Sequence, residues 1–408
     1  MSKSKAMSVL QKYTMVIILV LVVAFFTWRS NGKILLPQNI TNIIAQNAYV
    51  FVLATGMLLC ILTGGNIDLS VGSVVCFAGA VGAIWMRDGM NMWLVVLLML
   101  LIGVAVGAWQ AFWIAYVHVP PFITTLSGML VFRGLSNVVL GGKTVSVKNE
   151  LFVKIFGGGA NCYVPDLIGG KEGFTLPFNL ESLNLPFDLA GMNILCVVVG
   201  VIATLLYLIL TIRNRVSRKR KGYEVEGFGF AFIKMIVISA VILFFTFKLS
   251  QYKGIPTSLI WVALVVFVYS YITSKTTIGR HLYAVGGNEV ATKLSGINTK
   301  FVYFFAYTNM GFLAAVAGLL TIARLTSAQP TYGQNYEMDA IGSCFIGGAS
   351  AYGGVGTVPG VIVGALLMGV INIGMSIIGV DQNYQKVVKG LVLLAAVIFD
   401  VVSKNEKS

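Results

Sequence analysis

Met92–Val117 reads MWLVVLLMLLIGVAVGAWQAFWIAYV and contains no charged residue. A helix needs about 20 mostly apolar residues to cross the hydrocarbon core of a bilayer. A helix that is apolar on every face must be buried in protein or lipid, so this stretch reads as a membrane span. Outward from it the pattern repeats. Earlier stretches lie at Tyr13–Trp28, Asn42–Leu62 and Leu69–Met86, and the next at Phe122–Leu140. After a long polar loop they resume at Met192–Ile212, Phe228–Phe247, Ser258–Ile272 and Phe301–Ile322. The tail adds a short glycine-rich stretch at Met338–Ala349, then Val358–Ile378 and Lys386–Val402, making twelve candidates. The shorter Leu69–Met86 and Met338–Ala349 are open to being broken or re-entrant rather than full crossings.

Composition agrees. The 408 residues are 57% hydrophobic and 11% charged, whereas soluble domains are about a quarter charged. Lipid is therefore the expected partner of most of the surface. The net charge of +14 does not point to nucleic acid, because the basic residues gather in short loops instead of forming one face. Arg213–Lys221 (RNRVSRKRK), the loop at about 275–300 and both termini carry the Lys/Arg excess, which places them in the cytoplasm. Six, two and four stretches separate these regions, and each number is even, so all four fall on one side. The loop at about 141–190 then lies outside, though it is long enough that charge does not decide its side. Tyr13–Trp28 lacks a small-x-small cleavage site and closes on Trp28-Arg29, so it reads as a retained helix of the plasma (inner) membrane. The whole chain, 1–408, reads as one transmembrane domain.

Chemistry is sparse. Cys60, Cys76, Cys196 and Cys344 lie in apolar stretches and only Cys162 in the polar loop, which is no disulfide framework. His118 and His281 lack partners at metal-ligand spacing, and no cofactor site is read. Gly142-Lys143-Thr144 imitates the end of a phosphate loop, but the required earlier glycine is Asn137. No paired carboxylates, nucleophile–base set or nucleotide motif appears, so the chain is read as no enzyme. If ATP drives it, another chain hydrolyses the ATP.

Three constellations remain. In Leu62-Thr-Gly-Gly-Asn-Ile-Asp-Leu-Ser-Val-Gly72, Asp68 reads as an N-cap and Gly64-Gly65 lets the chain turn or unwind. The segment is either a capped turn at the membrane edge or a broken helix lining a pathway. Gln329–Ala340 likewise puts Asp339 at the start of a short apolar helix with a glycine-rich break after it, Phe345–Gly356. Glu337 and Asp339 read as external-loop carboxylates in preference to substrate ligands. In Ile278–Asn298, Gly286-Gly287 breaks the chain, Asn288 caps the next short helix, Glu289 suits its first turn and Gly296 stops it. So short a helix is marginal alone and gains its stability by packing on the protein's own helix ends or on a partner. Arg133 is an intramembrane cation that must pair or face water, while Lys234, Lys248, Lys386 and Lys389 sit near stretch ends and snorkel. The candidates for pathway or gating are Asn66, Asp68, Ser70, Arg133, Asn309, Asp339 and Asn372. The spans lack the series of acidic residues a proton-coupled carrier uses, which argues against a secondary carrier. Gly103-x-x-x-Gly107 and Gly360-x-x-x-Gly364 read as helix packing.

LTGGNIDLSVGS (62–73), GRHLYAVGGNEVATKLSGIN (279–298) and ARLTSAQPTYGQNYEMDAIGSCFIGGASAYGGVGTVPG (323–360) resemble the permeases of ribose/xylose-type ABC sugar importers. VINIGMSIIGVDQNYQKVVKGLVLLAAVIFDV (370–401) continues the likeness, which covers most of Gln38–Gly141 and nearly all of Gly254–Val402. The xylose or multiple-monosaccharide permeases are the nearest in form, because the ribose type usually lacks the helix pair at about 191–249. The resemblance implies an all-α polytopic membrane protein with about ten core helices plus two extra. It further implies a permease homodimer, an ABC ATPase subunit on the cytoplasmic side and a periplasmic or extracellular sugar-binding protein outside. The family's coupling loop falls on Gly286, Gly287, Asn288, Glu289, Ala291 and Gly296. Its LSVG and MDAI regions fall on Asp68–Gly72 and Met338–Ile341, near the pathway. A nucleoside or autoinducer importer would share this fold and these partners.

Overall fold

The computed structural model describes residues 3–157, 162–166, 192–223 and 227–405. Of the expected external loop, 158–161 and 167–190 lie outside the described residues.

With no water in the hydrocarbon core, each spanning segment must satisfy its backbone internally, and helices do so. In chain order they are α1 (Lys3–Arg29), α2 (Pro37–Gln46), α3 (Ala48–Leu62), α4 (Val71–Arg87), α5 (Met92–Ala115), α6 (Pro121–Leu140) and α7 (Glu150–Phe156). Next come α8 (Ile194–Arg220), α9 (Phe228–Ser250), α10 (Thr257–Lys275), α11 (Thr277–Gly287), α12 (Glu289–Leu294) and α13 (Thr299–Leu325). The last are α14 (Tyr336–Ile346), α15 (Val358–Ile377) and α16 (Gln382–Asn405). Two short strands, β1 (Val145–Ser146) and β2 (Ser327–Ala328), pair antiparallel with Val145 opposite Ala328. The chain is thus the all-α polytopic protein its sequence implied.

Among the described residues seven helices are long and apolar enough to cross a bilayer, or eight if α2 and α3, bent by 42°, form one span. The remaining candidate stretches correspond to Met15–Arg29, the 17-residue α4, the 11-residue α14 and α16, which carries Lys386 and Lys389 in its first turns. α14 rises only about 16 Å and cannot cross by itself.

Two compact units divide the chain. Leu35–Asn42 with Tyr163–Pro256 forms one, in which α8 packs on α9. Asn193 and Asp166 cap α8, accepting from the backbone N–H groups of Cys196 and of Ile194 and Leu195. The basic connector is not a loop: α8 runs through it to Arg220, since Arg and Lys are good helix formers and suit a helix C-terminus.

The larger unit is built on α13, whose membrane-length window is 78% buried while that of α5 is 39% buried. α13 packs against α3, α4 and α5. Gly103 and Gly107 admit this approach, because a methyl group at Gly103 would overlap the Gly311 carbonyl oxygen. Gly360 and Gly364 do the same for α15 against the Gly347 and Ser343 carbonyls of the α14 end. Both motifs are packing surfaces, as read from the sequence.

Candidate functional site

Three chain breaks that are far apart in sequence meet backbone to backbone. α3 ends at Leu62, and Gly64 and Gly65 turn away with φ of +125° and +75°. A side chain at Gly65 would overlap the Ala351 carbonyl oxygen, so only glycine serves there. The Gly354 N–H donates to the Leu62 carbonyl at 3.2 Å. Gly286 lies against that same carbonyl and against Gly354, again with no room for a methyl group. Two tyrosines tie the junction. Tyr283 Oη donates to the Gly356 carbonyl at 2.8 Å, and Tyr303 Oη lies 3.1 Å from the Thr63 carbonyl and 3.0 Å from Glu289 Oε2.

α12 projects from this junction. Asn288 Oδ1 accepts from the Ala291 N–H at 2.9 Å, Glu289 stands in the first turn, and Gly296 comes after the last turn with φ +87°. One detail differs from expectation. α11 continues through Gly286 to Gly287, so the break falls on Asn288, and Gly286 is there for close packing. Val290 and Leu294, one helical turn apart, are 70% and 84% exposed.

Deeper in the same unit, Asp68 is buried with Ser70 and Gln110. Asp68 Oδ1 accepts from the Ser70 N–H at 2.8 Å and from its hydroxyl at 2.6 Å, and Gln110 Nε2 reaches Ser70 Oγ at 2.7 Å. Asp68 is therefore not the N-cap of α4. Ser70 occupies that place, and the carboxylate closes a local turn two residues before it. Asn66 is half-buried and donates back to the Thr63 carbonyl at 3.3 Å. Gly72, at the start of α4, meets Gly333 of the loop before α14, so the two acidic constellations touch. Arg133 secures that loop by donating to the carbonyls of Pro330 at 3.2 Å and Tyr332 at 2.5 Å. This half-buried cation is paired, as an intramembrane cation must be, though with backbone oxygens.

Asp339 corrects the sequence reading most. It is 1% exposed, not an external-loop carboxylate. Lys389 Nζ lies 2.9 Å from its Oδ1, and Tyr49 Oη donates to its Oδ2 at 2.8 Å. Lys389 thus turns inward to neutralise a carboxylate in the α14 first turn instead of snorkelling. The Tyr49 and Tyr336 rings stack 3.6 Å apart beside the pair. Asn372 donates to Asn47 Oδ1 at 3.1 Å, while Asn309 accepts from Tyr269 Oη at 2.7 Å.

The candidates accordingly separate into several polar contacts and do not line one cavity. Asn66, Asp68 and Ser70 sit on the α3–α4 break, Gly286 packs into the junction while Gly287–Gly296 carries α12 away from it, and Arg133 and Asp339 brace the α14 approach. Asn309 and Asn372 make helix–helix contacts. A groove of about 520 Å³ within the α8–α9 unit is lined by side chains such as Met192, Leu243 and Phe247. That lining suits acyl chains, not a polar solute. Sequence reasoning missed Gln110, Tyr49, Tyr283 and Tyr303. Gln110 could have been found as the lone amide in Met92–Val117; Tyr49 and Tyr303 in apolar stretches, and Tyr283 in the basic loop, give no such signal.

These features define a multi-pass helical membrane protein with backbone junctions at its helix breaks and a capped helix exposed beside them. The chain belongs to the family described as branched-chain amino acid transport system / permease component, which matches residues 39–161 and 182–397. It is 34% identical over 400 residues to the xylose transport system permease protein of Haemophilus influenzae, covering 97% of this chain and 98% of that protein. The xylose transport system permease protein of Escherichia coli K12 is 32% identical over 97% of this chain and 93% of its own length. The ribose import permease protein of the same organism is 32% identical over 89% and 85% respectively. These relatives are transport permeases, not enzymes, and they uphold the resemblance seen in the sequence. No solved structure matches the chain.

Proposed function

We propose that this chain is the membrane-spanning subunit of an ATP-driven importer that carries a monosaccharide, xylose or a related pentose or hexose, into the cytoplasm. Two copies would form the pathway, each acting as one permease domain over 1–408. A separate ABC ATPase subunit would dock inside and a sugar-binding protein outside, with both termini cytoplasmic in the inner membrane. The observation that carries this reading is α12, a six-residue capped helix whose apolar Val290 and Leu294 face outward while its base rests on two helix breaks. A helix so short is marginal alone and draws its stability from packing, and two exposed apolar side chains one turn apart offer a further packing face. Its inner side is packed, and an ATPase groove suits the outer one.

Asn66, Asp68, Ser70, Arg133 and Asp339 would act by holding the breaks that open and close the pathway. The sugar assignment draws on the xylose and ribose permeases. A nucleoside or autoinducer permease is the second reading. Reconstitution in proteoliposomes with the ATPase and binding protein, tested on pentoses, hexoses, nucleosides and autoinducers, decides between them. ATP-dependent sugar uptake is the expected result. Uptake driven by an ion gradient without any ATPase would overturn the importer reading.

A further inference from the structure

We propose that Tyr303 is the positioning residue that passes movement of α12 to the Thr63–Asp68 break. The inference rests on the reading that α12 docks on an ATPase. A phenol has one proton, yet Tyr303 Oη lies at nearly equal distance from two acceptors. Glu289 Oε2, on α12, is 3.0 Å away, and the Thr63 carbonyl, at the α3 end, is 3.1 Å away.

The two acceptors differ in kind. Glu289 is exposed, so water can replace the phenol there at little loss. The Thr63 carbonyl comes just after the last turn of α3 and receives no intrahelical donor, and its other donor is the longer contact from Asn66. A shift of α12 that carries Glu289 away leaves the proton to Thr63 and tightens the break. A shift that brings Glu289 closer draws the proton off and loosens it. The Gly286–Leu62 contact is a backbone fulcrum without such a choice. A second observation lies one turn along α13, where residues four apart share a face. Tyr307 is fully buried, and its hydroxyl has no hydrogen-bond partner among the described residues. Buried hydroxyls are rarely left unpaired. The tyrosine face of α13 thus carries a second buried donor that lacks an acceptor in this arrangement.

The test uses the complete importer, with ATPase and binding protein, in proteoliposomes. Tyr303→Phe keeps the ring and deletes the proton. The complex should assemble and hydrolyse ATP at the basal rate, while solute imported per ATP falls roughly fivefold, the scale of one net hydrogen bond. Glu289→Ala, at an exposed site that does not threaten folding, should reproduce the loss. The double variant should be no worse than either, and Glu289→Gln, which keeps a carbonyl acceptor, should restore coupling. Wild-type coupling in Tyr303→Phe, or additive losses in the double variant, would overturn the proposal. Failure of the docking premise shows separately, as an ATPase that still binds after Val290→Glu and Leu294→Glu.

Discussion

Asp339 and Lys389 lie fifty positions apart and form an ion pair, its carboxylate buried and its lysine half-buried, where the α14 first turn meets α16. Removing one member of such a pair costs ~3–5 kcal/mol because the other charge is left buried alone, whereas removing both often costs little. Asp339→Asn and Lys389→Met should each lower folded yield and thermal stability in detergent, and Asp339→Asn with Lys389→Met should regain most of it. A double variant no better than the singles would mean that the charges act separately. Gly286 poses a steric case. Gly286→Ala forces a methyl group into the Leu62 carbonyl, and overpacking of this kind costs ~1–3 kcal/mol. Substrate-stimulated ATP hydrolysis should fall in this variant, while Gly287→Ala, with open space around it, should behave like the parent. The sequence marked Asp339 and Gly286 as noteworthy, but it put the carboxylate in water and the glycine at a chain break. Spacing along a chain says nothing of a lysine on another helix.

At the scale of elements, α12 was legible almost entirely. Its cap, first-turn carboxylate and terminating glycine are local, and local chemistry acts within a few residues. Asn288→Ala removes the side chain that holds the Ala291 N–H, a loss of ~1 kcal/mol. The ATPase should then bind the permease roughly fivefold more weakly, measured by co-purification or by titration in nanodiscs. Less was legible in α8 and α14. The basic run after Ile212 looked like a connector because it is polar, yet helix propensity continues through it. The apolar stretch at Met338–Ala349 is short enough in sequence to raise doubt that it crosses, and α14 is an 11-residue helix held by contacts with α3, α15 and α16.

At the scale of the whole molecule, hydropathy and charge parity imply a topology that a labelling experiment can test. The five cysteines are buried, so a maleimide should find little native background. Ser217→Cys, in the basic end of α8, should react only from the cytoplasmic side, and Lys148→Cys, after β1, only from outside. Reaction of both from the same side would break the parity argument. Membrane residence, the helix sites and the family likeness come from sequence alone, because a bilayer reads every residue by its transfer free energy, one at a time. The close approach of Gly64–Gly65, Gly286 and Gly353–Gly354 was decided only by tertiary structure, as were the burial of Asp339 and the two acceptors beside Tyr303. Each depends on which groups from distant parts of the chain come into van der Waals contact, and that is set by packing across the bundle rather than by any stretch of chain.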